Sequence, residues 1–142
     1  AVTRATDYTI FLVTGALGFS ALENTLYLIS PIAQRVDVGS IVITGNVRFL
    51  GATVLHSISV ALIGVLLGLA YTAGGFWKFL HGTVGLAIAA GLHTVFNYFI
   101  MQDTRQSTII AIAGIWIVAV IVIILFDRLR ALEANIRENY QA

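Results

Sequence analysis

The chain predicts an all-α membrane bundle, and three observations carry that prediction. Of its 142 residues, 58% are hydrophobic and 11% charged. Its mean hydropathy is +0.93. Its apolar residues are gathered into runs long enough to cross roughly 30 Å of hydrocarbon at about 1.5 Å per helical residue. Only helices and closed barrels satisfy their backbone polar groups in lipid, and these runs lack the short alternating segments of a barrel. With no cysteine, disulfides, thiolate ligands and cysteine nucleophiles are excluded. A formal net charge of +1 gives no nucleic-acid footprint.

The first span is expected over Tyr8–Ile29. It should give way to a polar connection, Ser30 to Asn46, opened by Pro31, a residue that commonly follows a helix end. The second span runs from Val47 to Tyr71, and Gly74 and Gly75 mark a tight turn before the third, Phe76 to Met101. A second turn over Gln102–Gln106 leads into the fourth, Ser107 to Phe126. The helix should then continue as an amphipathic tail over 127–142. Leu125, Leu129, Leu132 and Ile136 fall on one stripe, with Arg128, Arg130, Arg137 and Glu138 off it. No linker, repeat or low-complexity stretch intervenes, so 1–142 reads as a single transmembrane domain. Gly64-x-x-x-Gly68 permits close helix packing. The chain begins with Ala1 and lacks a basic-then-apolar leader, which suggests a processed chain or a fragment.

Orientation follows from Lys and Arg near the span ends. Arg4, Lys78, Arg128, Arg130 and Arg137 collect on one side, and Arg35, Arg48 and Arg105 on the other. The chain is therefore expected as an integral multi-pass cell membrane protein, with both termini cytoplasmic.

Three ionisable side chains, Glu23, His56 and His93, lie inside three different spans. Counted from the outer face, all three sit roughly 10 to 14 Å deep, so they can meet. A charge in hydrocarbon costs at least a few kcal/mol, which makes such residues functional candidates. Helical phase supports the set. His81, Gly85, Ala89, His93 and Asn97 run at four-residue spacing, which would point His93 and Asn97 into one interior. Arg48, Ala52, His56 and Ser59 share a stripe, as do Gly15, Phe19, Glu23 and Tyr27, with Asn24 adjacent. His81, near Trp77 and Lys78, belongs to the opposite interface.

One carboxylate and two imidazoles form a three-ligand zinc set, with Glu23, His56 and His93 as ligands and water in the fourth position. Without metal, a His accepts a proton from water, the other His or Asn97 stabilises an oxyanion, and Glu23 fixes a His tautomer. The sequence does not separate these two mechanisms. Asn24 and Asn97 suit the role of orienting the ligands, and Arg48 that of pairing with Glu23, gripping a substrate carbonyl or, equally, anchoring the span at the interface. The remaining acids, Asp7, Asp37, Asp103, Asp127, Glu133 and Glu138, fall near span ends, in loops or on the tail.

Phe19-Ser20-Ala21-Leu22-Glu23-Asn24, followed by Tyr27, resembles the F-x-x-x-E-N motif of the PrsW-type intramembrane proteases, distant relatives of the CAAX-processing enzymes. Arg48 through His56 is similar to that family's R…H helix, and His93-Thr94-Val95-Phe96-Asn97 to its H-x-x-x-N. The resemblance covers roughly Asp7 to Tyr98. It implies a multi-pass, metal-dependent peptidase acting on a membrane-anchored protein or peptide among membrane lipids, on the extracytoplasmic side. The family's further E-E-x-x-K motif, on a preceding helix, has no counterpart here. Truncation, or descent as a catalytically incomplete relative, would account for that.

Two rival readings remain at this level. One is a structural or accessory subunit bound to other membrane subunits. The other is an electron-transfer subunit with His56 and His93 as axial ligands of a b-type haem.

Overall fold

A computed structural model describes residues 2–102 and 104–141, apart from the side chains of Thr44, Arg48, Arg137, Asn139, Tyr140 and Gln141. Asp103, in the expected 102–106 turn, and the Arg137 side chain of the tail thus lie outside the described residues.

Most of the described residues are helical, with no strand among them. The elements are α1 (Asp7–Ala33), α2 (Val38–Arg48), a π-helical turn (Phe49–Thr53), α3 (Val54–Leu69), α4 (Gly75–Met101) and α5 (Arg105–Gln141). Helix α2, the π-turn and α3 form one continuous rod, so four helices are long and apolar enough to cross a membrane. The molecule is an all-α membrane bundle. Its outer faces expose Phe11, Leu22, Leu86, Ile117 and Ile123, a pattern lipid rewards and water does not.

The expected polar connection Ser30–Asn46 is corrected by the structure. Helix α1 runs through Pro31 to Ala33, and only Gln34–Asp37 links it to α2. Proline has a helical φ and costs the helix one N–H, and with two residues left in α1 that loss is small. The helix closes in a Schellman arrangement, with the Arg35 N–H donating to Ile32 and the Val36 N–H to Pro31. Arg35 takes the left-handed conformation this requires, at φ 56°. Glycine would adopt it without the Cβ clash, so Arg35→Gly is expected to raise stability by up to about 1 kcal/mol. Arg35→Val should lower it, and thermal midpoints in detergent read both. On the far side of the link, Asp37 caps α2 by accepting from the Ser40 N–H at 3.0 Å. The Ser40 side chain first, and then its backbone N–H, hold the Asp37 carboxyl below its ordinary range.

Helix α3 is the central rod, packed by α1, α4 and α5. Glycines let the backbones close in. A Cβ on Gly64 would collide with the Thr9 backbone, one on Gly68 with Ala5 O and Leu129, and one on Gly85 with Ile63. Gly64-x-x-x-Gly68 is therefore a packing seam within the chain, joining α3 to α1 and to the α5 tail. The core above it gathers Leu55, Ile58, Phe96, Ile115 and Val122.

The amphipathic tail is the uninterrupted end of α5. Of its expected stripe, Leu129 is buried while Leu132 and Ile136 are about half exposed. Glu133 accepts from the Thr6 N–H at 3.2 Å and from its hydroxyl at 2.9 Å, so the tail supplies the N-terminal cap that α1 lacks from its own Thr6 side chain.

Candidate active site

Three elements place the central residues. On α1, Ala16 and Ser20 are buried, and Glu23 and Asn24 continue that face one turn on. Asn24 donates to Thr53 Oγ1 at 2.8 Å, which fastens α1 to the π-turn just before His56. Gly51 in the same turn has no Cβ to hold off the ring of Phe96, so α4 closes in there and carries His93 forward. The π-turn also alters helical phase between Arg48 and His56. The expected four-residue stripe through Arg48 and Ala52 to His56 therefore does not continue unbroken.

The side chains meet in a hydrogen-bonded row. Glu23 Oε2 lies 3.0 Å from His56 Nε2. His56 Nδ1 lies 3.3 Å from His93 Nε2. At the far end, His93 Nδ1 is 3.5 Å from Ser59 Oγ and 3.4 Å from Ala89 O. Phe19 sets its ring edge against His56, with centroids 5.2 Å apart. Side-chain exposure is 30% at Glu23 and 20% at His56, so the row is shielded without being sealed.

Donor and acceptor matching orients the row. An ionised Glu23 accepts, so His56 carries its proton on Nε2 and offers a bare Nδ1. His93 then donates from Nε2, and its own Nδ1 accepts from the Ser59 hydroxyl. The other His93 tautomer puts the proton on Nδ1, where Ala89 O accepts it at 3.4 Å, and leaves Nε2 to accept a proton carried on His56 Nδ1.

The structure brings Glu23, His56 and His93 together and ties Asn24 in beside them. Asn97 stands apart: it is exposed on α4, and Phe96 takes the buried position. Four residues turn a helix by about 400°, so strict four-residue spacing drifts by about 40° at each step. Tyr27, one turn beyond Glu23, is largely exposed. The side chain of Arg48 lies outside the described residues. His81 contacts Trp77 O at 2.8 Å, roughly 18 Å along α4 from His93. Sequence reasoning missed Thr53, a partner that only the position of the π-turn reveals.

A zinc ion would need Glu23, His56 and His93 to aim at one point. Glu23 sits at Nε2 of His56 and His93 at Nδ1, so the three groups do not converge on one point. Among the described residues, no three His, Cys, Asp or Glu side chains are arranged to hold a metal ion. The expected ligand set Glu23, His56 and His93 does not fit as drawn. The bis-His haem reading fares no better, because the two imidazoles contact each other directly, with centroids 5.0 Å apart, and leave no gap for a porphyrin.

A shielded carboxylate and two imidazoles inside a helical membrane bundle define a membrane-embedded protein with an intramembrane polar centre. The family profile described as "PrsW family intramembrane metalloprotease" matches residues 1–126. The chain belongs to the PrsW family, and is a PrsW-like intramembrane peptidase in the general sense that membership carries. No curated protein and no solved structure matches it.

Proposed function

We propose that the chain hydrolyses peptide bonds of membrane-anchored polypeptides near the outer leaflet, with Glu23, His56 and His93 as the water-activating centre. The carrying observation is the row of hydrogen-bonding contacts that links His93, His56 and Glu23.

In this reading, water reaches His56 and replaces His93 at the bare Nδ1. His56 takes a proton from that water as its oxygen bonds the scissile carbonyl carbon. Glu23 stabilises the resulting imidazolium across Nε2. His93, released, donates from Nε2 to the oxyanion. Collapse breaks the C–N bond, and His56 returns its proton to the leaving amine. No step needs Asn97, in keeping with its exposed position. Both termini lie on the cytoplasmic side, which puts the row in the outer half of the membrane.

The test is cleavage of a labelled single-span peptide by the full chain in proteoliposomes, with and without a zinc chelator. Cleavage that survives chelation supports the row. Loss on chelation with recovery on added zinc overturns it, and makes His56 Nδ1 and His93 Nε2 metal ligands with Glu23 behind them.

A further inference from the structure

Hydroxyls inside a helix have a ready partner in the carbonyl four residues earlier. Thr25, Ser57, Thr83 and Thr94 all donate to it, at 2.8–2.9 Å. Ser59, two residues from Ser57 on α3, does not. It is 2% exposed, and its partner among the described residues is His93 Nδ1, across the helix interface at 3.5 Å. Close packing brings the two together. One turn of α3 beyond Ser59, a Cβ on Gly85 would stand 3.1 Å from the Ile63 Cα, so the backbones of α3 and α4 approach there and a short side chain reaches the ring.

His93 Nδ1 thus lies between two groups with opposite demands. The Ala89 carbonyl, 3.4 Å away, accepts only, and is served by a proton on Nδ1. Ser59 is buried with a proton of its own, and pairs it by donating to a bare Nδ1. The carbonyl has the weaker claim, because within α4 it already takes the His93 backbone N–H. His81, on the same helix, shows a ring with no hydroxyl at Nδ1 among the described residues. There Nδ1 closes to 2.8 Å on the carbonyl of Trp77.

We infer that Ser59 is a positioning residue of the row: by donating to Nδ1 it keeps the His93 proton on Nε2. In the resting row an ionised Glu23, acting through His56, favours the same tautomer. Once water has parted the two imidazoles, Ser59 is the group left to hold it, and His93 meets the oxyanion as a donor. That use of the proton rests on the peptidase reading; its place on the ring rests on geometry alone.

Nitrogen NMR spectra of the full chain in bilayers, isotope-labelled at histidine and recorded at about pH 8.5 where an ordinary imidazole is neutral, read the tautomer directly. Wild type should show His93 protonated at Nε2 and bare at Nδ1. The reverse pattern overturns the inference even if no variant folds. His56→Ala removes the constraint from the other ring and should leave the His93 pattern unchanged, whereas adding Ser59→Ala should move the proton to Nδ1, as at His81. A double variant that keeps the proton on Nε2, or a His56→Ala variant that already loses it, overturns the inference. In the cleavage assay, Ser59→Ala should lower kcat about 10²-fold, as loss of one oxyanion donor does, with KM near that of wild type. Thr94→Ala, which removes a hydroxyl bonded to its own helix at Ala90 O, should keep wild-type turnover, and equal kcat for the two alanine variants overturns the catalytic use of Ser59. If the spectra come out as stated while wild type cleaves nothing, the peptidase reading falls and the hold of Ser59 on His93 stands.

Discussion

Glu23→Gln should lower peptide cleavage by about 10² to 10⁴-fold while leaving the protein as stable as wild type, or more so. The two effects separate because they have different origins. Gln keeps the size of Glu and an oxygen that accepts from His56 Nε2, so the row keeps its shape. What it removes is the negative charge, which opposes burial in lipid and favours a protonated His56. A side chain serving only to join helices gives the opposite pattern: activity follows stability, and loss of the His56 contact loosens α1. His56→Ala and His93→Ala should each cost as much activity as Glu23→Gln or more. Combining either with Glu23→Gln should add little, since residues acting as one unit are not additive. Turnover and thermal midpoints measured on the same preparations check this, and a parallel fall in both quantities for Glu23→Gln would refute the role given to the row.

The second large effect is expected at Gly64, far from that row. Gly64→Ala adds a single methyl group where the backbone nitrogen and hydroxyl of Thr9 stand 2.7 and 2.8 Å from the new carbon. Neither neighbour is the loose end of a flexible chain. Helix α1 must move off α3, and overpacking of this kind costs about 1–3 kcal/mol. Glu23 and His56 face each other across the same pair of helices, so activity should fall together with stability. Gly91→Ala is the control, because a Cβ there meets nothing within 4 Å. Equal thermal midpoints for the two alanine variants would show that α1 and α3 are not held by this contact.

Composition alone made the bundle readable, since each span is an apolar run of the required length, and the meeting of Glu23, His56 and His93 followed from their matching depths. What escaped was phase and continuity. Helix α2 is built of Val, Gly, Ser, Ile, Thr and Asn, residues that suit a loop as well as a helix. Its start signal was nevertheless present in the Asp37 cap that Ser40 completes. Pro31 announces a helix end two residues before α1 reaches it. The π-turn leaves no pattern in Phe49–Thr53, because the extra residue is held by contacts made elsewhere, Asn24 to Thr53 and Gly51 to Phe96. Asn97 lies on the exposed side of α4 because its four-residue series drifts round the helix, and Phe96 holds the inner position.

The cap that Glu133 places on Thr6 joins residues 127 positions apart, which makes its closure a late event in the assembly of these four spans. Helix α1 is made before the three other spans, so the Thr6 N–H and hydroxyl wait through the insertion of those spans before Glu133 can accept from them. The latch closes only when the fourth span is in place and its tail has emerged on the side of Thr6. Assembly of the bundle is thereby registered at the start of α1.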